Sequence, residues 1–489
     1  MKLLAQKPST QHAAFAIDFI WVALASALFL GFALGAHLSF VIGFDFPLGK
    51  GFYAFIQTHG HVQLIGWAGM FIMGISLHFL PRLAGVPLAR PQWLHRILGL
   101  MAAGLVLRSL GHSIVPYLAE RAPFAIVNWL TAFSGLLEWC GVLAYVSLLV
   151  TTFFHADRAK QGPAVREVAP FFMMMLAGWL LYASLNLAVL VHMAWSNGIV
   201  VSQAWNELAI ETFVGLVLLP VAFAFSVRMF PLYLRLRPPD WPVRKIALTY
   251  LGALTLQLAS SFPPLQNAFF DAALMSTSLG KILKASVILV FVWQLDVLTR
   301  RQLPWTVKRK LQPSVMPVAQ TSCLQAGMPA LRQANPERQP TRPGLPDYGE
   351  FGRFEWLVYS AYGWLVLGAA YELLSGAAAL CNFSLLHGSD AGRHIYLLGF
   401  ITNLILGMAV RMIPGFMGKK KIARPALVSA TFWLGNGAAL FRVLPLIVPA
   451  AFFEAAPGAV QIAQAVFSLS GALGLCAIAG LAINLWKTV

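Results

Sequence analysis

Charge is scarce in this chain. Asp, Glu, Lys and Arg make up 11% of its 489 residues against 58% hydrophobic residues, and the mean hydropathy is +0.71, which excludes an ordinary soluble globule. Cysteine is scarcer still: Cys140, Cys323, Cys381 and Cys476 form no C-x-x-C pair, so a disulfide framework and a thiolate metal site are both excluded. Acidic residues number 18 against 35 basic ones, for a net charge of +17. The placement of those basic residues argues against a nucleic-acid partner. Numbered from a cytoplasmic N-terminus, the outer loops hold only Lys50, Arg121 and Arg393. This is the positive-inside pattern, and it puts both termini in the cytoplasm.

What the sequence has in abundance is apolar runs long enough to cross a hydrocarbon core of roughly 30 Å. Twelve are legible, from 14–42 to 460–486, and they include 54–80, 206–234, 245–262 and 394–416. The expected fold is an all-α membrane protein with the lipid bilayer around it. The first run is too long for a signal-peptide core and is kept as a helix. One stretch interrupts the pattern: 303–353, rich in Pro, Gln and basic residues, lacks the apolar surface to build a core. It is expected to be a flexible cytoplasmic linker between helices 1–8 (1–302) and helices 9–12 (354–489).

A repeat organises the rest. HGHVQLIGWAGMFIMGISLHFLPRLAG at 59–85 returns as RHIYLLGFITNLILGMAVRMIPGFMG at 393–418. His61 and His394 each precede matched glycines (Gly66 and Gly399, Gly74 and Gly407), a matched proline (Pro81 and Pro414) and a last glycine (Gly85 and Gly418) at equal spacings. A fainter third copy aligns Arg228 and Pro231 with His78 and Pro81 and with Arg411 and Pro414, and the same count back from Pro231 reaches Glu211. The copies fall on helices 2, 6 and 10. Twelve helices are therefore expected as three four-helix units in a pseudo-threefold arrangement.

A His, a carboxylate and a His at one depth in three related helices is a pattern that suits metal or haem ligands in a bundle. The repeat register selects His61 and His394 as an axial pair. His59 lies about 200° around the helix from His61 and is left to contact propionates, solvent or a second metal. His37, His112, His192 and His387 also map to the outer half, where each either ligates a metal or bonds a neighbouring helix. His12, His78, His95 and His155 map to the inner side. Glu207 lies one turn before Glu211 on the same face, where the pair would ligate a metal, carry protons or face an aqueous vestibule. Lys281 and Lys284 lie inside helix 8, to snorkel, to pair with a carboxylate such as Glu372, or to carry protons.

With these helices in view, the chain resembles subunit I of the haem-copper oxidases, and within that fold it is similar to the NnrS family of bacterial membrane proteins. The segments HGHVQLIGW with FLPRLAG, and RHIYLLGF with GMAVRMIPGFMG, carry the likeness. It implies a bacterial inner-membrane location, haem b, copper as a further metal, and a link to nitric oxide or nitrosative stress. It also implies that helices 2 and 10 supply the axial histidines of a low-spin haem, here His61 or His59 with His394. The oxidase pattern is departed from at Gly392, where a high-spin haem ligand would stand, at Glu211 in place of a copper His, and at helix 7, which has no His. The expected function is electron transfer or sensing by a bis-His haem, with a quinol or cytochrome as electron partner. Copper would be held by His37, His59, His112, His192, Glu207 or Glu211. The alternatives are a diverged oxidase or nitric oxide reductase with a nonstandard second metal, and a transporter without cofactor.

Overall fold

The computed structural model describes residues 15–156, 163–301, 349–383 and 388–489, and among these every regular element is a helix. The long helices are α1 (Asp18–Gly43), α2 (Phe52–Ala84), α3 (Trp93–Leu118), α4 (Phe124–Phe154), α5 (Val165–Trp195), α6 (Gln203–Tyr233), α7 (Val243–Ser260), α8 (Phe270–Leu295), α9 (Phe354–Leu380), α10 (Gly388–Phe416), α11 (Pro425–Ile447) and α12 (Gly458–Thr488). Eleven of these are long and apolar enough to cross a membrane. The exception is α7, which occupies the expected seventh run but is only 18 residues long and carries Arg244, Lys245 and Gln257. The expected linker at 303–353 lies outside the described residues as far as 348, as do His12, Cys323 and His387.

Burial separates three helices from the others. The most apolar stretch of α2 is 89% buried, that of α10 83% and that of α6 67%, whereas the other eight spans lie between 22% and 50%. Around these three, α3 packs on α4, α4 on α5, α5 on α7, α7 on α8, α8 on α9, α9 on α11, α11 on α12 and α12 on α1. The three buried helices touch one another at matching ends, with Arg393 Nη2 3.0 Å from Glu207 Oε1 toward the N-termini of α10 and α6, and with the ring pairs His78–Phe416 at 4.3 Å and Phe79–Phe225 at 5.7 Å toward the C-termini of α2, α10 and α6. They therefore run in the same direction.

The glycines and prolines of the repeat do equivalent work in the fold. A Cβ on Gly66 or Gly74 would come within 2.9 Å of Ser26 or Phe19 on α1, and one on Gly399 or Gly407 within 2.7 or 2.9 Å of Trp364 or Leu357 on α9. These sites let α2 approach α1, and α10 approach α9, closely. Pro81, Pro231 and Pro414 stand in the last turn, where loss of a backbone donor helps to end the helix. Gly85 and Gly418 follow in the left-handed region with φ of 71° and 72°, and Val86 N and Lys419 N close the same bond back to Pro81 O and Pro414 O, at 3.0 and 2.7 Å. Arg235, four residues after Pro231, is also left-handed, with φ of 55°. Each buried helix also widens into π-helical turns at Val62–Gly69, Val214–Leu218 and Ile395–Thr402, just after His61, Glu211 and His394. Such turns shift the faces that side chains point to and occur often at functional sites.

Candidate functional site

The N-terminal halves of α2, α6 and α10 carry polar side chains into three separate spaces between helices. Three helices bound the first space. His59, on α2, faces α1, where Gly35 makes room for it: a Cβ there would lie 2.6 Å from His59 Cε1. Its Nδ1 is 2.8 Å from Gly31 O. A carbonyl only accepts, so Nδ1 carries the proton and Nε2 keeps its lone pair. His394, on α10, has the same arrangement, with Nδ1 2.8 Å from Asp390 O and 3.2 Å from Asp390 Oδ1. Asp390 also faces Arg442 Nη2 of α11 at 3.8 Å, and the guanidinium of Arg442 lies over the Phe467 ring at 4.2 Å. His59 lies within electrostatic reach of His394, Arg442 and Asp390. The two imidazoles with free Nε2 lone pairs thus share one neighbourhood, bounded by α1, α10 and α11.

His61 faces the opposite way, as the angle between positions 59 and 61 requires. Its Nε2 lies 2.9 Å from Glu138 Oε1 on α4, and its Nδ1 lies 3.1 Å from the Tyr182 hydroxyl on α5. Glu138 Oε2 accepts from Asn186 Nδ2 at 3.2 Å. Both nitrogens of His61 are therefore committed. Arg108 and His112, one turn apart on α3, complete this second space, and both are buried. Gln57 fixes the His112 tautomer. Its amide donates to Val201 O at 2.7 Å and accepts from Val201 N at 2.9 Å, so the 3.0 Å contact from His112 Nε2 to Gln57 Oε1 must be a donation by the imidazole. His112 Nδ1 and the Nε and Nη1 of Arg108 have no hydrogen-bond partner among the described residues. Gly104 lets α4 approach here, since a Cβ would meet Glu138 Cγ at 2.6 Å.

In the third space, Lys284 Nζ of α8 lies 2.7 Å from Glu372 Oε1 of α9, and Tyr396 of α10 donates to Glu372 Oε2 at 2.9 Å. The expected Lys284–Glu372 pair is thus formed. Glu207 and Glu211 do not act together. Glu207 pairs with Arg393 Nη2 at 3.0 Å, while Glu211 accepts from Gln257 of α7 at 3.3 Å. His37 is exposed on α1 beside Phe55, and His192 is exposed near the end of α5. The residues expected to share a second metal, His37, His112, His192, Glu207 and Glu211, are dispersed over different helix faces, and no group of three or more such ligands occurs among the described residues.

Sequence reasoning missed Arg108, Glu138, Tyr182, Asn186, Asp390 and Arg442. A signal existed for four of these: a charged residue inside or at the end of an apolar run is costly without a partner, and Asp390 stands one helical turn before His394. No protein-family model and no curated protein matches the chain.

Proposed function

We propose that the chain is a multi-pass membrane protein holding a b-type haem between His59 Nε2 and His394 Nε2, and that it passes or senses single electrons. The carrying observation is the shared tautomer. In both residues Nδ1–H is tied to a backbone carbonyl, which orients the ring, raises the basicity of Nε2 and leaves that nitrogen able to ligate. His61, the residue singled out by the repeat register, has neither nitrogen to spare. Held by the two imidazoles, a haem would supply a one-electron couple. The surrounding side chains would do the rest: Gly35 seats the His59 ring, Asp390 holds the His394 ring, and Arg442 would offer a cation to an anionic propionate.

The ring of nine helices about α2, α6 and α10, the matched caps and the matched π turns support the reading of twelve helices in three related units. The distribution of basic loops supports cytoplasmic termini, and the bacterial inner membrane rests on the likeness to the NnrS family. A role in nitric oxide response, and a quinol or cytochrome partner, rest on the likeness to the NnrS family.

Purified protein should show a low-spin b-type reduced spectrum and a pyridine haemochrome, with little change on adding carbon monoxide. His59→Ala and His394→Ala should each abolish the low-spin spectrum, and His61→Ala should retain it in whatever fraction of the protein still folds. Colourless protein, or haem lost with His61→Ala yet kept with His59→Ala, would overturn the assignment.

A further inference from the structure

A half-open apolar cavity of about 80 Å³ lies where α2, α6 and α10 meet, toward their C-terminal ends, with Phe172 of α5 completing its wall. The three helices line it at equal register. Nine residues before the matched prolines stand Ile72, Ala222 and Ile405, and six before them Ile75, Phe225 and Met408. Ala222 is the exception in its ring of three. Two helices place an isoleucine at this height and the third places a methyl group, so the cavity exists largely because α6 is three carbons short there.

The lining is apolar except for Ser76, whose hydroxyl is already engaged at 3.0 Å with Met73 O and at 2.7 Å with the Tyr145 hydroxyl. Water needs two to four polar partners to settle, and this lining leaves it none free. The cavity has about half the volume of the roughly 150 Å³ apolar cavity that accepts benzene or xenon. That volume matches a nonpolar molecule of two or three heavy atoms. Molecules of that class partition into the bilayer core, which surrounds this helix bundle.

We infer that this cavity is a binding site for a small nonpolar molecule, separate from the histidine site and independent of any cofactor there. Its selectivity is set by volume, with Ala222 as the determining residue.

Xenon is the probe. Bound-xenon NMR on the purified full chain in nanodiscs should show a saturable signal in the wild-type protein. Ala222→Ile should weaken xenon binding at least tenfold, and Ile405→Ala should strengthen it or raise its capacity. If Ala222→Ile does not fold, Ala222→Val should still weaken binding severalfold in protein whose helix content and melting are unchanged. No saturable xenon binding in the wild type, or wild-type binding in a folded Ala222 variant, overturns the proposal. So does a co-purifying acyl chain that xenon fails to displace.

Discussion

His61 Nε2 and Glu138 Oε1 are 2.9 Å apart, with about 5% of each side chain exposed. The bond joins one of the most buried helices to α4 at a depth where water is excluded, and Asn186 and Tyr182 satisfy the remaining atoms. Removing one partner of such a pair leaves a buried polar group or charge behind, at about 3–5 kcal/mol. Glu138→Leu also takes away a carboxylate whose charge acts on Arg108, so it should fall at the upper end of that range. Glu138→Gln keeps an acceptor for His61 and should cost about 1–3 kcal/mol. Thermal unfolding of the detergent-solubilised variants measures both; wild-type stability in Glu138→Gln would show that the charge of Glu138 is immaterial, and equal losses would show that an uncharged acceptor restores nothing.

Gly35 should be intolerant of any side chain for a reason that concerns His59. Its Cβ would press on the imidazole edge at 2.6 Å from Cε1 and 3.1 Å from Nδ1, breaking the bond to Gly31 O that orients Nε2. Gly35→Val should lower haem content severalfold and broaden the low-spin spectrum. Gly363→Val, where a side chain would meet nothing within 4 Å, should leave both unchanged. A wild-type spectrum in Gly35→Val would detach His59 from the haem.

The repeat made the three inner helices legible because glycine, proline and cap positions act through the local backbone, and local geometry follows from local sequence. Gly85 and Gly418 share one left-handed cap for that reason, and Arg235 takes the same left-handed φ at the equivalent place. The choice between His59 and His61 was not local. Both sit at the right depth, and which helix each meets depends on the packing of α1 and α4, partners far away in sequence. Glu207 and Glu211 show the same limit. They are one turn apart on α6, yet their partners come from α10 and α7. Lys284 and Glu372 could be paired from sequence, since each is a charge inside an apolar run with few alternatives. Arg108 and Glu138 met that criterion equally, but no register linked them to the repeat.

The Lys284–Glu372 pair, at 2.7 Å, should behave as a unit. Lys284→Met leaves Glu372 with the Tyr396 hydroxyl as its only donor among the described residues, and Glu372→Leu strands the ammonium, so each should cost about 3–5 kcal/mol. The double variant buries no unpaired charge and should recover most of the loss, because well-packed apolar replacement of a buried ion pair is often near neutral. Melting curves of the three variants form the cycle, and strict additivity of the single losses would show that the pair is not coupled.

Cys381 tests the orientation of the whole bundle. It closes the C-terminal end of α9, is exposed, and lies in the loop that the distribution of basic residues assigns to the outer side. Cys140 lies inside α4 and Cys476 inside α12, where a charged reagent has poor access through lipid. Cys323 falls in 303–353, the stretch assigned to the cytoplasm. A membrane-impermeant maleimide added to intact spheroplasts should therefore modify Cys381 and spare Cys323, and in inverted vesicles the preference should reverse. Because α9 and α10 are consecutive spans joined by this loop, labelling of Cys381 fixes on which side of the membrane the His394 end of α10 lies. Modification of Cys323 from the outside, with Cys381 protected, would invert the topology and place the His59 and His394 imidazoles at the cytoplasmic end of their helices.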